Sequence, residues 1–174
     1  MKNTKKLTNQ AMIASVYTVL SIALSAVSFG TVQIRISEAL TLLPIFSLTN
    51  VWGVTIGCFL TNLIGFFTGA NILGWMDMIF GTFATFLAAV CTYLLRNVKI
   101  KGLPLLSVIP PIVFNAAVIG WELCMLINNG VFSPVIFWAQ AVSVGAGQLL
   151  SCGVIGLMMV RIIEKNRNLK ELIS

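Results

Sequence analysis

ISEALTLLPIFSLTNVWGVTIGCFLTNLIGFFT, residues Ile36 to Thr68, is the stretch on which the architecture turns. It is largely apolar, with Pro44 and the polar string Ser47, Leu48, Thr49, Asn50 inside it. One helix through it, or two, gives a different count of membrane crossings, and the basic residues arbitrate. Lys2, Lys5 and Lys6 precede a first apolar run from Gln10 to Phe29, and Arg96, Lys99 and Lys101 form the next basic cluster. With both clusters on the cytoplasmic side, as the positive-inside rule has it, the number of crossings between them is even. The stretch is therefore read as two spans, about Ser37 to Phe46 and about Val51 to Phe67.

Working outward, a fourth span runs from Trp75 to Leu95, a fifth from Leu103 to Ile127, with Pro104, Pro110 and Pro111 in its first turns, and a sixth from Pro134 to Ile163. Arg161, Lys165, Arg167 and Lys170 close the chain as a last basic cluster. The expected fold is an all-α integral membrane protein of six transmembrane helices, residues 1–174 forming one domain with N- and C-termini cytoplasmic. Composition agrees: 58% of the 174 residues are hydrophobic and 9% charged, and the mean hydropathy is +0.98. A span takes about 20 residues, so the length holds about six and leaves no room for a soluble domain. The second span is too short to cross upright and is expected to be tucked against its neighbours. The basic start leads into an apolar run as long as a true span, so no cleavable signal is expected.

Several function classes drop out. The net charge of +6 sits in clusters that flank apolar runs, which is topogenic patterning, so no nucleic-acid partner is expected. There is no His, and Cys58, Cys91, Cys124 and Cys152 lack CxxC spacing, so no metal or redox centre is expected and the thiols read as small buried hydrophobes. No G-x-x-x-x-G-K-[ST] loop is present, so the chain has no phosphate cradle of its own. With no catalytic constellation either, it is not expected to be an enzyme, and uphill transport would draw on an ion gradient or a partner.

Charges inside apolar spans are costly, about 2.5–3.5 kcal/mol each at mid-bilayer on insertion scales, and so mark functional positions. Arg35, Glu38, Asp77 and Glu122 are the four. The topology puts Arg35 and Glu38 at the outer start of the second span, Asp77 in the first outer turn of the fourth, and Glu122 near the outer end of the fifth. Residues from three helices at one level suit a pocket open to the outside, and one positive with three negative groups suits a cationic or N–H-rich ligand. Asn115, seven residues before Glu122, shares its helix face. Gln140 and Gln148 line the sixth span, Trp75, Trp121 and Trp138 lie near the same level, and Phe29 to Ile36 is expected to supply part of a lid. Plainer readings stand beside these: Arg35 and Glu38 as an i, i+3 salt bridge, the tryptophans as interfacial anchors, the amides as helix-to-helix hydrogen bonds. Ala11 with Ser15, and Ala14 with Thr18, are small-xxx-small pairs on the first helix, and Gly53 with Gly57 reads as a packing site.

At VQIRISEALTLLP, Val32 to Pro44, the sequence resembles the QueT family of substrate-binding S-components from energy-coupling factor (ECF) transporters. The likeness continues through GCFLTNLIG from Gly57, DMIFGTFAT from Asp77, PPIVFN from Pro110, GWEL from Gly120 and SVGAGQ from Ser143. It implies a six-helix S-component-like bundle in the bacterial cell membrane that binds a small nutrient. Its partners would be a transmembrane coupling subunit and two cytoplasmic ATPases, which use the ATP, leaving this chain without a cofactor. It also implies docking of the coupling subunit on Ala11 and Ser15, where Ser15 stands for a second Ala, and a 7-deazaguanine ligand such as preQ1 or queuine. Gln148 departs from the family pattern, in which Glu is common. An S-component for another nutrient such as cobalamin, a proton-coupled secondary transporter and a structural membrane subunit are the alternatives.

Overall fold

The computed structural model describes residues 2–29, 34–100 and 102–173. Among the described residues the secondary structure is helical, with no strand beyond an isolated bridge between Ile100 and Leu103. Helix α1 (Lys2–Ala23) breaks at Leu24 and continues as the short turn Ser25–Ser28. A ten-residue 3₁₀ helix, α2 (Ile36–Ile45), leads through a turn into α3 (Asn50–Thr68). Then follow α4 (Asp77–Leu95), α5 (Leu105–Ile127), α6 (Pro134–Lys165) and the short α7 (Arg167–Ile173). The helix break falls within the polar string at Ser47 to Asn50, as expected from the sequence.

Four of these, α3 to α6, are long and apolar enough to cross a membrane. Their outward faces carry Trp52, Phe67, Phe83, Val135 and Val142, all exposed, which suits a hydrocarbon solvent and not water. Helix α2 differs. At about 2 Å rise per residue it spans about 20 Å, short of the hydrocarbon core. It sits in the middle of the bundle with Ser37, Glu38, Ala39 and Thr41 to Ile45 buried. Pro44, one residue before the end of α2, has no backbone N–H to donate in either an α or a 3₁₀ turn, and the helix stops just after it.

Small residues bring α1 against α3. Ile13, Ala14, Tyr17 and Ser21, spaced on one face, are buried, and a Cβ on Gly57 would lie 2.7 Å from Tyr17 Cβ. Thr18 Oγ1 donates to the Gly57 carbonyl at 3.2 Å. The Ala14/Thr18 pair is thus spent on packing inside the chain, whereas Ala11 and Ser15 are exposed on the opposite face. Prolines 110 and 111 fall at the start of the α-helical part of α5, where a missing N–H leaves no bond unmade.

Two π-helical segments interrupt the long helices: Asp77–Gly81 opens α4, and Leu149–Gly156 lies inside α6. The basic clusters gather at one end of the bundle. There Lys99 pairs with Glu164 at 2.8 Å, the Asn9 amide donates to the Leu172 carbonyl, and Asn50 Nδ2 donates to the carbonyls of Leu43 at 3.0 Å and Ile173 at 2.9 Å.

Gly57→Leu is expected to lower stability by about 1–3 kcal/mol through overpacking at Tyr17, with Ser15→Ala, at an exposed position, unchanged. Unfolding in detergent, followed by temperature, measures both.

Candidate functional site

The centre of the bundle is polar, and its anchor is an ion pair. Arg35 precedes α2 in an extended conformation, is 5% exposed, and sends Nη2 to Asp77 Oδ2 at 3.1 Å. Its guanidinium lies 5.2 Å from the Phe29 ring centroid, a cation–π contact. Asp77, fully buried, also receives Asn71 Nδ2 on Oδ2 at 2.8 Å, and Asn62 Nδ2 donates to its backbone carbonyl at 2.8 Å. The π-turn and Gly81 make room for this carboxylate, because a Cβ at Gly81 would fall on Asp77 Oδ1. π-turns of this kind recur at functional sites.

Glu38 is satisfied separately. The Tyr17 hydroxyl donates to its Oε1 and Asn115 Nδ2 to its Oε2 at 3.2 Å, so α1 and α5 close on α2 through one carboxylate. The Cys152 thiol, in the second π segment, donates to the Glu38 carbonyl at 3.2 Å and lies 3.5 Å from Gln148 Oε1.

Glu122 stands apart. It is fully buried, within electrostatic reach of Asp77 and Arg35, and neither carboxylate oxygen has a hydrogen-bond partner among the described residues. Burial of a carboxylate with both oxygens unpartnered is costly, and the cost is relieved only by a proton or by an added donor. A separate apolar cavity of about 490 Å³ is lined by Leu73, Met76, Trp121, Met125, Leu126, Asn129 and Gly130; none of the buried charged residues is on its wall. Met76 and Trp121 are the chain neighbours of Asp77 and Glu122. The volume is within the range of small-molecule sites.

The structure thus brings together Arg35, Glu38, Asp77, Asn115 and Glu122, with Gln148 buried beside Cys152. It corrects other expectations. Arg35 pairs with Asp77 and not with Glu38, because its extended backbone carries the side chain off the helical i, i+3 track. Trp75 and Trp138 are 55% and 65% exposed and face outward, as interfacial anchors do; only Trp121 lines the cavity, edge-on to Phe80 with centroids 5.6 Å apart. Gln140 is half-buried, and no hydrogen bond among the described residues ties it to the cluster. Cys58 is more than a small hydrophobe, since Thr85 Oγ1 and Asn62 Nδ2 approach its sulfur at 3.3 and 3.6 Å. Of the stretch expected to form part of a lid, residues 30–33 lie outside the described residues. Tyr17, Asn62 and Asn71 were not anticipated. The rule that flags charges in apolar spans would have found Asn62 if extended to amides.

An apolar exterior around a buried ionic centre defines a multi-pass membrane protein built to hold a polar group away from water. The family model described as QueT transporter matches residues 7–165, and the chain belongs to that family. It is a multi-pass protein of the bacterial cell membrane in a family of transporters. Over 77 residues it is 35% identical to the queuosine precursor transporter QueT of Lactococcus lactis subsp. cremoris (strain MG1363), an alignment covering 43% of this chain and 41% of that protein. The match therefore spans about two-fifths of the relative's length. No solved structure matches the chain.

Asp77→Asn should cost about 3–5 kcal/mol of stability by leaving the Arg35 guanidinium buried and unpaired. Adding Arg35→Met should recover much of it, because a buried pair replaced by apolar groups is often neutral. A double-mutant cycle in detergent measures the coupling, and additive losses would count against a pair.

Proposed function

We propose that this chain is the substrate-binding S-component of an ATP-driven ECF importer. It takes a queuosine precursor, a 7-deazaguanine such as preQ1 or queuine, from outside and delivers it inward with a transmembrane coupling subunit and two cytoplasmic ATPases. Six crossings with both termini cytoplasmic put the basic end inside. Family membership and the name of the Lactococcus lactis relative support the ligand class. The lack of a nucleotide-binding loop supports a separate ATPase, and the exposed Ala11 and Ser15 support partner docking on α1.

The observation that carries the reading is the bare carboxylate of Glu122. Two acceptor oxygens side by side match the paired N–H donors of a guanine-like edge, and a flat ring can lie against Trp121. Glu38 and Asp77 already hold protein donors. Their task in this reading is to set the charge and shape of the site: Asp77 keeps Arg35 neutralised, and Glu38 ties α1 and α5 to α2. Arg35, Asn115 and Gln148, buried in the polar centre and not on the cavity wall, are the further polar residues this reading assigns to the ligand.

Stability and binding separate these roles. Glu122→Gln should leave stability unchanged or raise it, since no internal bond is lost, yet weaken preQ1 binding by about 2–5 kcal/mol. Glu38→Gln should lower stability. Titration calorimetry of purified protein with preQ1, queuine and cobalamin, after mass spectrometry of what co-purifies, tests the ligand; full affinity in the Glu122 variant would overturn its assignment. Ala11→Phe should leave binding intact and abolish uptake in cells that contain the coupling module, measured with labelled precursor; undiminished uptake would remove α1 as the docking face.

A further inference from the structure

The basic end of the bundle carries a feature that solute capture does not use. A cleft of about 340 Å³ is lined by Gly102, Leu103, Arg161, Glu164 and Lys165. Glu164 is also the wall of a second cleft, of about 210 Å³, to which Arg96, Lys99 and Lys170 contribute. Five cations surround one carboxylate, and Lys99 already bonds that carboxylate at 2.8 Å. Arg96 is held in place, its guanidinium 3.7 Å from the Tyr93 ring centroid and its Nη1 donating to the Tyr93 carbonyl at 2.9 Å, with no carboxylate bonded to it among the described residues. A concave site with this charge excess favours an anion.

Helix α6 says what kind of anion. Met158, Arg161, Ile162 and Lys165 follow i, i+3, i+4, i+7 spacing and share one helix face. Met158 and Ile162 are each 59% exposed, and Val154, one turn further along, is exposed as well. An apolar stripe thus runs along the outer face of a membrane helix directly into two cations at its end. That pattern fits an amphiphile, with a phosphate at Arg161 and Lys165 and an acyl chain along Val154, Met158 and Ile162. We propose that this end of α6 is a binding site for the headgroup of an anionic phospholipid, with Arg96 and Lys170 strengthening the field from the adjoining cleft.

Native mass spectrometry of the full chain in detergent, titrated with phosphatidylglycerol or with phosphatidylcholine of the same acyl chains, tests this. Wild type is expected to retain phosphatidylglycerol preferentially, and Arg161→Gln with Lys165→Gln to lose that preference, by about fivefold per charge removed. Lys5→Gln with Lys6→Gln, on α1, should keep it. Both α6 residues are exposed, so the lipid-free unfolding temperature should not move and loss of fold is separable from loss of binding. Equal retention of the two lipids, or an unchanged preference in the α6 variant, overturns the site and leaves these charges to a protein partner. Displacement of the lipid by an equal concentration of inorganic phosphate makes it a free-anion site and overturns the lipid assignment.

Discussion

A guanidinium and a carboxylate buried together constrain everything around them. Arg35 and Asp77 are each nearly inaccessible, and neither is tolerable there without the other. Their contact joins the start of α2 to the start of α4. The π-turn at Asp77, the glycine at position 81 and the amides of Asn62 and Asn71 are all arranged around that carboxylate. Residues otherwise expected to weaken a helix are here because the ion pair needs the space and the donors.

Around that pair the three buried carboxylates have unequal surroundings. Asp77 is neutralised, Glu38 accepts from a phenol and an amide on two other helices, and Glu122 has no donor among the described residues. In a low dielectric the difference matters more than the shared charge, because a satisfied carboxylate stiffens the bundle whereas an unsatisfied one attracts donors from outside it. In the function proposed above, the asymmetry separates framework residues from the one carboxylate offered to a ligand.

Much of this was legible without coordinates. Apolar runs of span length, prolines at helix starts and the polar string ending at Asn50 located α2 to α6 to within a few residues, whereas α1 starts at Lys2, well before its apolar run, and the polar α7 carried no hydropathy signal. The cost of charge in hydrocarbon singled out Arg35, Glu38, Asp77 and Glu122. Partners were not legible. The i, i+3 spacing of Arg35 and Glu38 suggested a pair, yet the extended backbone at Arg35 sends the side chain to α4. Tryptophans at a common level suggested a stacking wall, yet Trp75 and Trp138 face outward. Tyr17 carried no signal, since a phenol in an apolar helix gains significance only from what it touches.

The sequence by itself determined the class of protein, the boundaries of α2 to α6 and the set of buried charges, because these follow from local hydropathy, proline and glycine chemistry, and the cost of charge in a membrane. Only the tertiary structure decided which charge meets which, that α2 winds as a central 3₁₀ helix, that π-turns sit beside the cluster, and that Glu122 has no donor among the described residues. Those outcomes depend on how helices distant in sequence approach each other in space, where contacts at small residues such as Gly57 set the distances. Hydrogen-bond partnership is a property of such distances, and no single helix carries it in its own residues.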